Sequence, residues 1–251
     1  MRTQGLREEK HARRCLPGAE LIAAFAVALV GATGCEGLFG DGAFDFSKPL
    51  PRFVSVHYVS PHDIAGISRF RSSAGHDESD GFETCRSMKH YLTFSAADWS
   101  TVQIRSPVAG TVVDREDGSV GGRLVIRSQV QPAFYFEIFH VVPTTSLGVG
   151  DLVEAGQVLG HHFGIDECSD IAVSVAAIED GPNGRIPGRR LVSYFDVMTD
   201  QAFAAYQARG VGSRADLVIT AVERDASPLV CDAAGTFVGS DVLSSWVALT
   251  P

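Results

Sequence analysis

No apolar stretch in this 251-residue chain reaches the roughly 20 residues that a bilayer-crossing helix needs. The apolar run at Leu21–Val30 (LIAAFAVALV) is about half that length, which excludes a stable membrane span there. Basic residues are also scarce, 21 Lys+Arg against 30 Asp+Glu. Five of the basic residues (Arg2, Arg7, Lys10, Arg13 and Arg14) and only three acidic ones lie in the first 35 positions, so the remainder carries 16 against 27, a net charge near −11. That balance excludes nucleic acid and anionic lipid headgroups as partners and says nothing about fold. Long internal repeats and low-complexity tracts are missing. Neither Ser169 nor Ser174 has an evident base partner, which removes a serine-hydrolase reading.

What is present begins with an export signal. A basic leader, the short apolar run and the small residues GATGC have the order of a secretory signal over 1–35. Ala32-Thr33-Gly34-Cys35 resembles a bacterial lipobox, which makes Cys35 the expected lipidation site and implies membrane attachment through a lipid anchor. The expected location is the bacterial cell envelope, periplasmic or surface-facing, or the medium if Cys35 is not lipidated. Gly- and Pro-rich residues 36–52 read as a tether.

The rest reads as β structure. Gly150-Asp151 and Ala155-Gly156 in VGDLVEAGQVLG suit tight turns between very short strands at Leu152-Val153 and Val158-Leu159. Strands are expected at Phe53–Val59, Val102–Ile104, Gly110–Val113, Arg123–Ser128, Phe134–Val141, Ile171–Ala177, Leu217–Val222 and Trp246–Leu249. Val197–Arg209 has helical spacing, with Thr199 as N-cap and Gly210 closing the end. His161 and His162 follow Gly160 on a turn and point to opposite faces, so they do not join one metal site. By strand alternation Glu137 and His140 also point to opposite faces. Without the signal, three cysteines remain (Cys85, Cys168 and Cys231), so any pairing leaves one over.

Four segments in order, HYLTFSAADWSTVQIRSPVAGTVV, GRLVIRS, YFEIFHV and VGDLVEAGQVLG, resemble the β-core of lysostaphin/LasA-type zinc endopeptidases over His90–Val175. The last segment is shared with biotinyl/lipoyl-type domains, so a barrel-sandwich periplasmic adaptor or carrier is an alternative; no Lys flanked by Met sits at a carrier-style hairpin tip. The resemblance implies a duplicated-hybrid-motif fold and a Zn2+ held by an H-x-x-x-D pair and the second His of H-x-H. It makes His140, in FEIFHV, an assisting catalytic residue. His90 fits the first ligand by its distance to Gly110, but Phe94 stands where the Asp belongs and Ala172 where the third ligand belongs. A phenyl and a methyl group cannot ligate. His76 and Asp80 keep the H-x-x-x-D spacing in a polar loop and, with Asp170, form a second candidate ligand set. The resemblance also brings the Cys85 and Cys168 segments together beside the cleft, which implies a Cys85–Cys168 disulfide.

The expectation is thus an all-β core (duplicated hybrid motif, barrel-sandwich-like) over 53–178, with a C-terminal α+β extension over 179–251 packed on it. The zinc site is expected to be degenerate, with peptidoglycan or an envelope protein as partner. The alternative is an active zinc-dependent endopeptidase with shifted ligands drawn from His76, Asp80, His90 and Asp170.

Overall fold

The computed structural model describes residues 42–144, 146–164, 168–181 and 184–251, with the backbone alone for 179–181 and 184–187. The signal segment and Cys35 lie outside the described residues. The strands are β1 (Ile64–Ser68), β2 (His90–Phe94), β3 (Gln103–Arg105), β4 (Gly110–Glu116), β5 (Gly122–Ser128), β6 (Phe134–Pro143), β7 (Leu152–Val153), β8 (Val158–His162), β9 (Ser169–Gly181) and β10 (Gly184–Val192). Helices α1 (Asp200–Gln207) and α2 (Ala221–Ala226) follow, then β11 (Val230–Cys231), β12 (Phe237–Val238) and β13 (Trp246–Ala248). The chain therefore has an all-β core and an α+β C-terminal part.

One sheet runs β13-β1-β2-β9-β6-β5-β4-β7, with β10 also on β9 and β8 joining β3 and β6. Strand β9 pairs with β6 along one edge and with β2, then β10, along the other. Alternation sorts its neighbours by face. His90, Leu92 and Phe94 of β2, Phe134, Phe136 and Ile138 of β6, and Ile171, Val173 and Val175 of β9 all lie in the buried core. Each large apolar side chain buried there contributes about 1.5–3 kcal/mol. Phe44 and Phe53 pack edge-on against Phe134, so the described end of the expected tether docks on the sheet through Phe44, next to the first aromatic residue of the expected core.

The VGDLVEAGQVLG reading matches the structure: Gly150, just before β7, and Gly156, between β7 and β8, have φ of 95° and 82°. Helix α1 also forms where its spacing placed it. Thr199 Oγ1 accepts the Ala202 N–H at 3.2 Å, and Ala202, Phe203 and Tyr206 face inward. Two expected strands do not form. Phe53–Val59 is extended but pairs only through an isolated bridge from Val54 to Met198. In Leu217–Val222 the alternation loses to a capping box. Glu223 N donates to Thr220 Oγ1 at 3.1 Å and Thr220 N to Glu223 Oε2 at 2.8 Å, starting α2.

The cysteine expectation is corrected as well. Cys85 is joined to Cys231, 146 residues away, and not to Cys168; Cys168 is itself disulfide-bonded. Sequence spacing could not choose among the pairings, because the C-terminal part folds back over the loop before β2. Asp77 N–H donates to the Gly235 carbonyl at 2.8 Å, and Arg86 pairs with Asp225 at 2.9 Å.

Candidate functional site

The segment before β2 is tied to itself by backbone bonds. Glu78 N donates to Arg86 O and Met88 N to Glu78 O, both at 3.1 Å. This fold-back carries His76 and Glu78 toward Lys89, the residue immediately before β2. Because Lys89 shares a strand face with Tyr91, it points to the side opposite the core.

Three acceptors meet its ammonium. Asp170 Oδ2 lies 2.7 Å from Nζ, Glu78 Oε2 3.5 Å and His76 Nε2 3.4 Å. His76 Nδ1–H donates to the Asp77 carbonyl at 3.0 Å, which leaves Nε2 with the lone pair that Lys89 uses. The rings of Phe139 and Tyr91 lie 4.2 Å and 5.1 Å from Nζ and add cation–π attraction. Burial opposes the ammonium, but Asp170, Tyr91 and Glu78 outweigh it and raise the Lys89 pKa well above its ordinary value. Asp170 is completely buried. Its oxygens have no aligned hydrogen bond; the Lys89 ammonium lies 2.7 Å from Oδ2 and compensates its charge at close range, and His140 Nε2 lies 3.3 Å from Oδ1.

His140 owes its place to a bulge. Gly122 pairs with Val141 and Leu124 with Ile138, so Phe139 and His140 together face the single residue Arg123. His140 takes φ of 57°, a left-handed conformation that costs a non-glycine residue about 1–3 kcal/mol. Here β6 stops pairing with β9 at Phe139 and starts pairing with β8 at Val141. The bulge turns His140 onto the same side as Glu137, against the expectation from simple alternation, and both line one cleft with Glu78, Glu116, Arg123 and Phe139. His140 Nδ1–H donates to the Val120 carbonyl at 2.9 Å, and Nε2 lies 3.3 Å from Asp170 Oδ1. The β4–β5 turn comes this close because Gly121 has no side chain: a Cβ there would lie 2.7 Å from the His140 carbonyl carbon.

The remaining candidates are elsewhere. His90 lies in the core, 1 % exposed; Nδ1–H donates to Ser68 O at 2.8 Å and Nε2 accepts from Ser193 Oγ at 2.9 Å. Burial lowers its pKa to about 4, so it is a neutral core residue, and its one lone pair is already taken by the Ser193 hydroxyl. Asp80 is a loop staple: Oδ1 accepts the Phe82 and Glu83 amides and Oδ2 the Leu191 amide. Phe94 packs on Trp99 and on His162. His162 is on strand β8 rather than a turn; burial, then the nearby His140, lowers its pKa to about 4. Ser174 donates to Glu137 at 2.9 Å, whose other oxygen meets Arg123 at 3.2 Å.

Of the four metal candidates, the structure brings His76 and Asp170 together, but around Lys89. Among the described residues no three His, Cys, Asp or Glu side chains are spaced to hold a metal ion. Acceptors at 2.7–3.5 Å from a nitrogen fit an ammonium; zinc would need donors at about 2.0–2.2 Å. Sequence reasoning missed Lys89 because it took the neighbouring histidine as the cleft residue. The parity shared with Tyr91 was the signal that could have found it.

No family model and no curated protein matches the chain. Solved structures similar to it include a protein described as a glycyl-glycine endopeptidase, lytM, from Ruminococcus gnavus (18 % identity, 43 % of this chain and 44 % of that one, TM-score 0.31). Another is described as a peptidase M23 from Pseudomonas aeruginosa (16 % identity, 63 % and 57 %, TM-score 0.32). A third is lysostaphin in solution (10 % identity, 71 % and 66 %, TM-score 0.31). The chain thus spans about half the length of the first two. Similarity this low leaves the reading of the chain to its own residues.

Proposed function

We propose that this chain is an exported, lipid-anchored protein of lysostaphin/LasA-type architecture that binds peptidoglycan, or a protein acting on it, without hydrolysing it. The observation that carries this reading is the Lys89 ammonium, seated among Asp170, Glu78 and His76 where a hydrolytic centre would need a metal and its water. Zinc does not fit these residues as they stand, so no hydrolytic step is derived for them. The alternative with shifted ligands would need Asp80 or His90 beside His76 and Asp170, and His90 is committed to the core and Asp80 to the loop. What stays open to solvent is a cleft with His140, Arg123 and three glutamates on its walls, a surface suited to a polar, amine- and amide-bearing chain. Export and anchoring rest on the signal pattern and on Cys35.

Murein zymography and pull-down on purified sacculi test the reading. Retention on sacculi with no clearing, with or without zinc, is expected. A cleared band lost in EDTA and restored by zinc would overturn it. Labelling by palmitate that disappears in Cys35→Ala is expected for the anchor; equal labelling of both proteins would remove it.

A further inference from the structure

We propose that Lys89 is the resident cation of this site, a built-in ammonium in the place of a divalent metal, and that His76, Glu78 and Asp170 form a latent zinc site that opens when the lysine is removed. The inference rests on the reading above that the wild-type cleft works without metal. It deepens that reading by naming what holds the cleft together.

An ammonium offers three N–H donors and no acceptor. Lys89 meets one nitrogen acceptor and two carboxylates, a donor set that suits zinc once the proton-bearing nitrogen is gone. Each donor is already in the form a metal requires. His76 presents the lone pair of Nε2, fixed by the bond from Nδ1–H to Asp77 O. Asp170 lies fully buried beside a positive charge and has no aligned hydrogen-bond donor to displace. Glu78 is the least buried of the three, with a side chain 31 % exposed. The donors stand about an ångström too far out for zinc because an ammonium spaces them. The loop backbone is anchored, so rotation of the His76 and Glu78 side chains is what would close that gap while Asp170 stays fixed at the sheet.

The site also explains why the loop before β2 is held so thoroughly. The ammonium ties it to strand β9 from within, and the Cys85–Cys231 bridge and the Asp77–Gly235 bond tie it from outside. A lysine here gives a cleft whose order does not depend on metal supply.

The test uses the full chain, stripped with EDTA and titrated with zinc ions at neutral pH. Wild type is expected to take up none and Lys89→Ala one equivalent, lost again in Lys89→Ala/His76→Ala. Lys89→Leu, which fills the space without charge, is expected to take up none. If Lys89→Ala folds only when refolded with zinc, that also supports the proposal. A folded Lys89→Ala that binds no zinc, one that zinc fails to rescue, or equal uptake by Lys89→Leu would overturn it and leave the non-hydrolytic reading standing. One equivalent of zinc in wild type would overturn both.

Discussion

Lys89 and His90 are adjacent residues, both almost wholly buried, and they face opposite sides of the same strand. On the core side, His90 is kept neutral: a carbonyl and a hydroxyl satisfy its two nitrogens, and the rings of Phe70 and Phe195 surround it. On the cleft side, Lys89 is kept charged by a carboxylate at 2.7 Å and two further acceptors. The contrast shows that burial alone does not decide whether a titratable group is charged. The partners within about 4 Å decide it.

The largest test of this contrast is Lys89→Met, which leaves Asp170 buried without its ammonium. A loss of about 3–5 kcal/mol in urea unfolding is expected; a loss below about 1 kcal/mol would mean the pair is not what holds the loop. Next is the cross-link on the cleft side. Cys85→Ser with Cys231→Ser should cost about 2–5 kcal/mol and raise amide exchange in residues 72–88, while β6 and β9 stay protected.

Acid separates the two sides. His90 takes a proton near pH 6.5 when unfolded but only near 4 when folded. The unfolded chain therefore binds more protons between those values, and stability falls as pH drops from about 6.5 to 4, by about 3 kcal/mol for this residue. Unfolding midpoints across that range check it, and His90→Gln should flatten the slope. Lys89 has the opposite sign. Its pKa is raised, so its contribution is complete below the ordinary lysine range and is lost only as pH rises through the folded value. The smallest effect concerns the bulge: His140→Val should be about 1–2 kcal/mol less stable than His140→Asn, because asparagine tolerates a left-handed backbone and a β-branched residue does not.

Much of the fold was legible because local rules and tertiary packing agree. Gly150 and Gly156 fall where turns need positive φ, Thr199 caps α1, and the apolar alternation of β6 survives in Phe134, Phe136 and Ile138. Leu217–Val222 was misread because its alternation competed with the Thr220–Glu223 cap, and the cap won. The site was less legible. A one-residue difference in strand parity exchanged Lys89 for His90. The bulge at His140, set by pairing with a distant strand, turned it onto the side of Glu137. The disulfide spans 146 residues, beyond what spacing can choose.

The most direct measurement is the zinc content of wild-type protein purified from zinc-replete cells without chelator. An ammonium in the cation's place predicts far less than one zinc per chain, unchanged by His76→Ala. One zinc per chain, lost in His76→Ala, would contradict it.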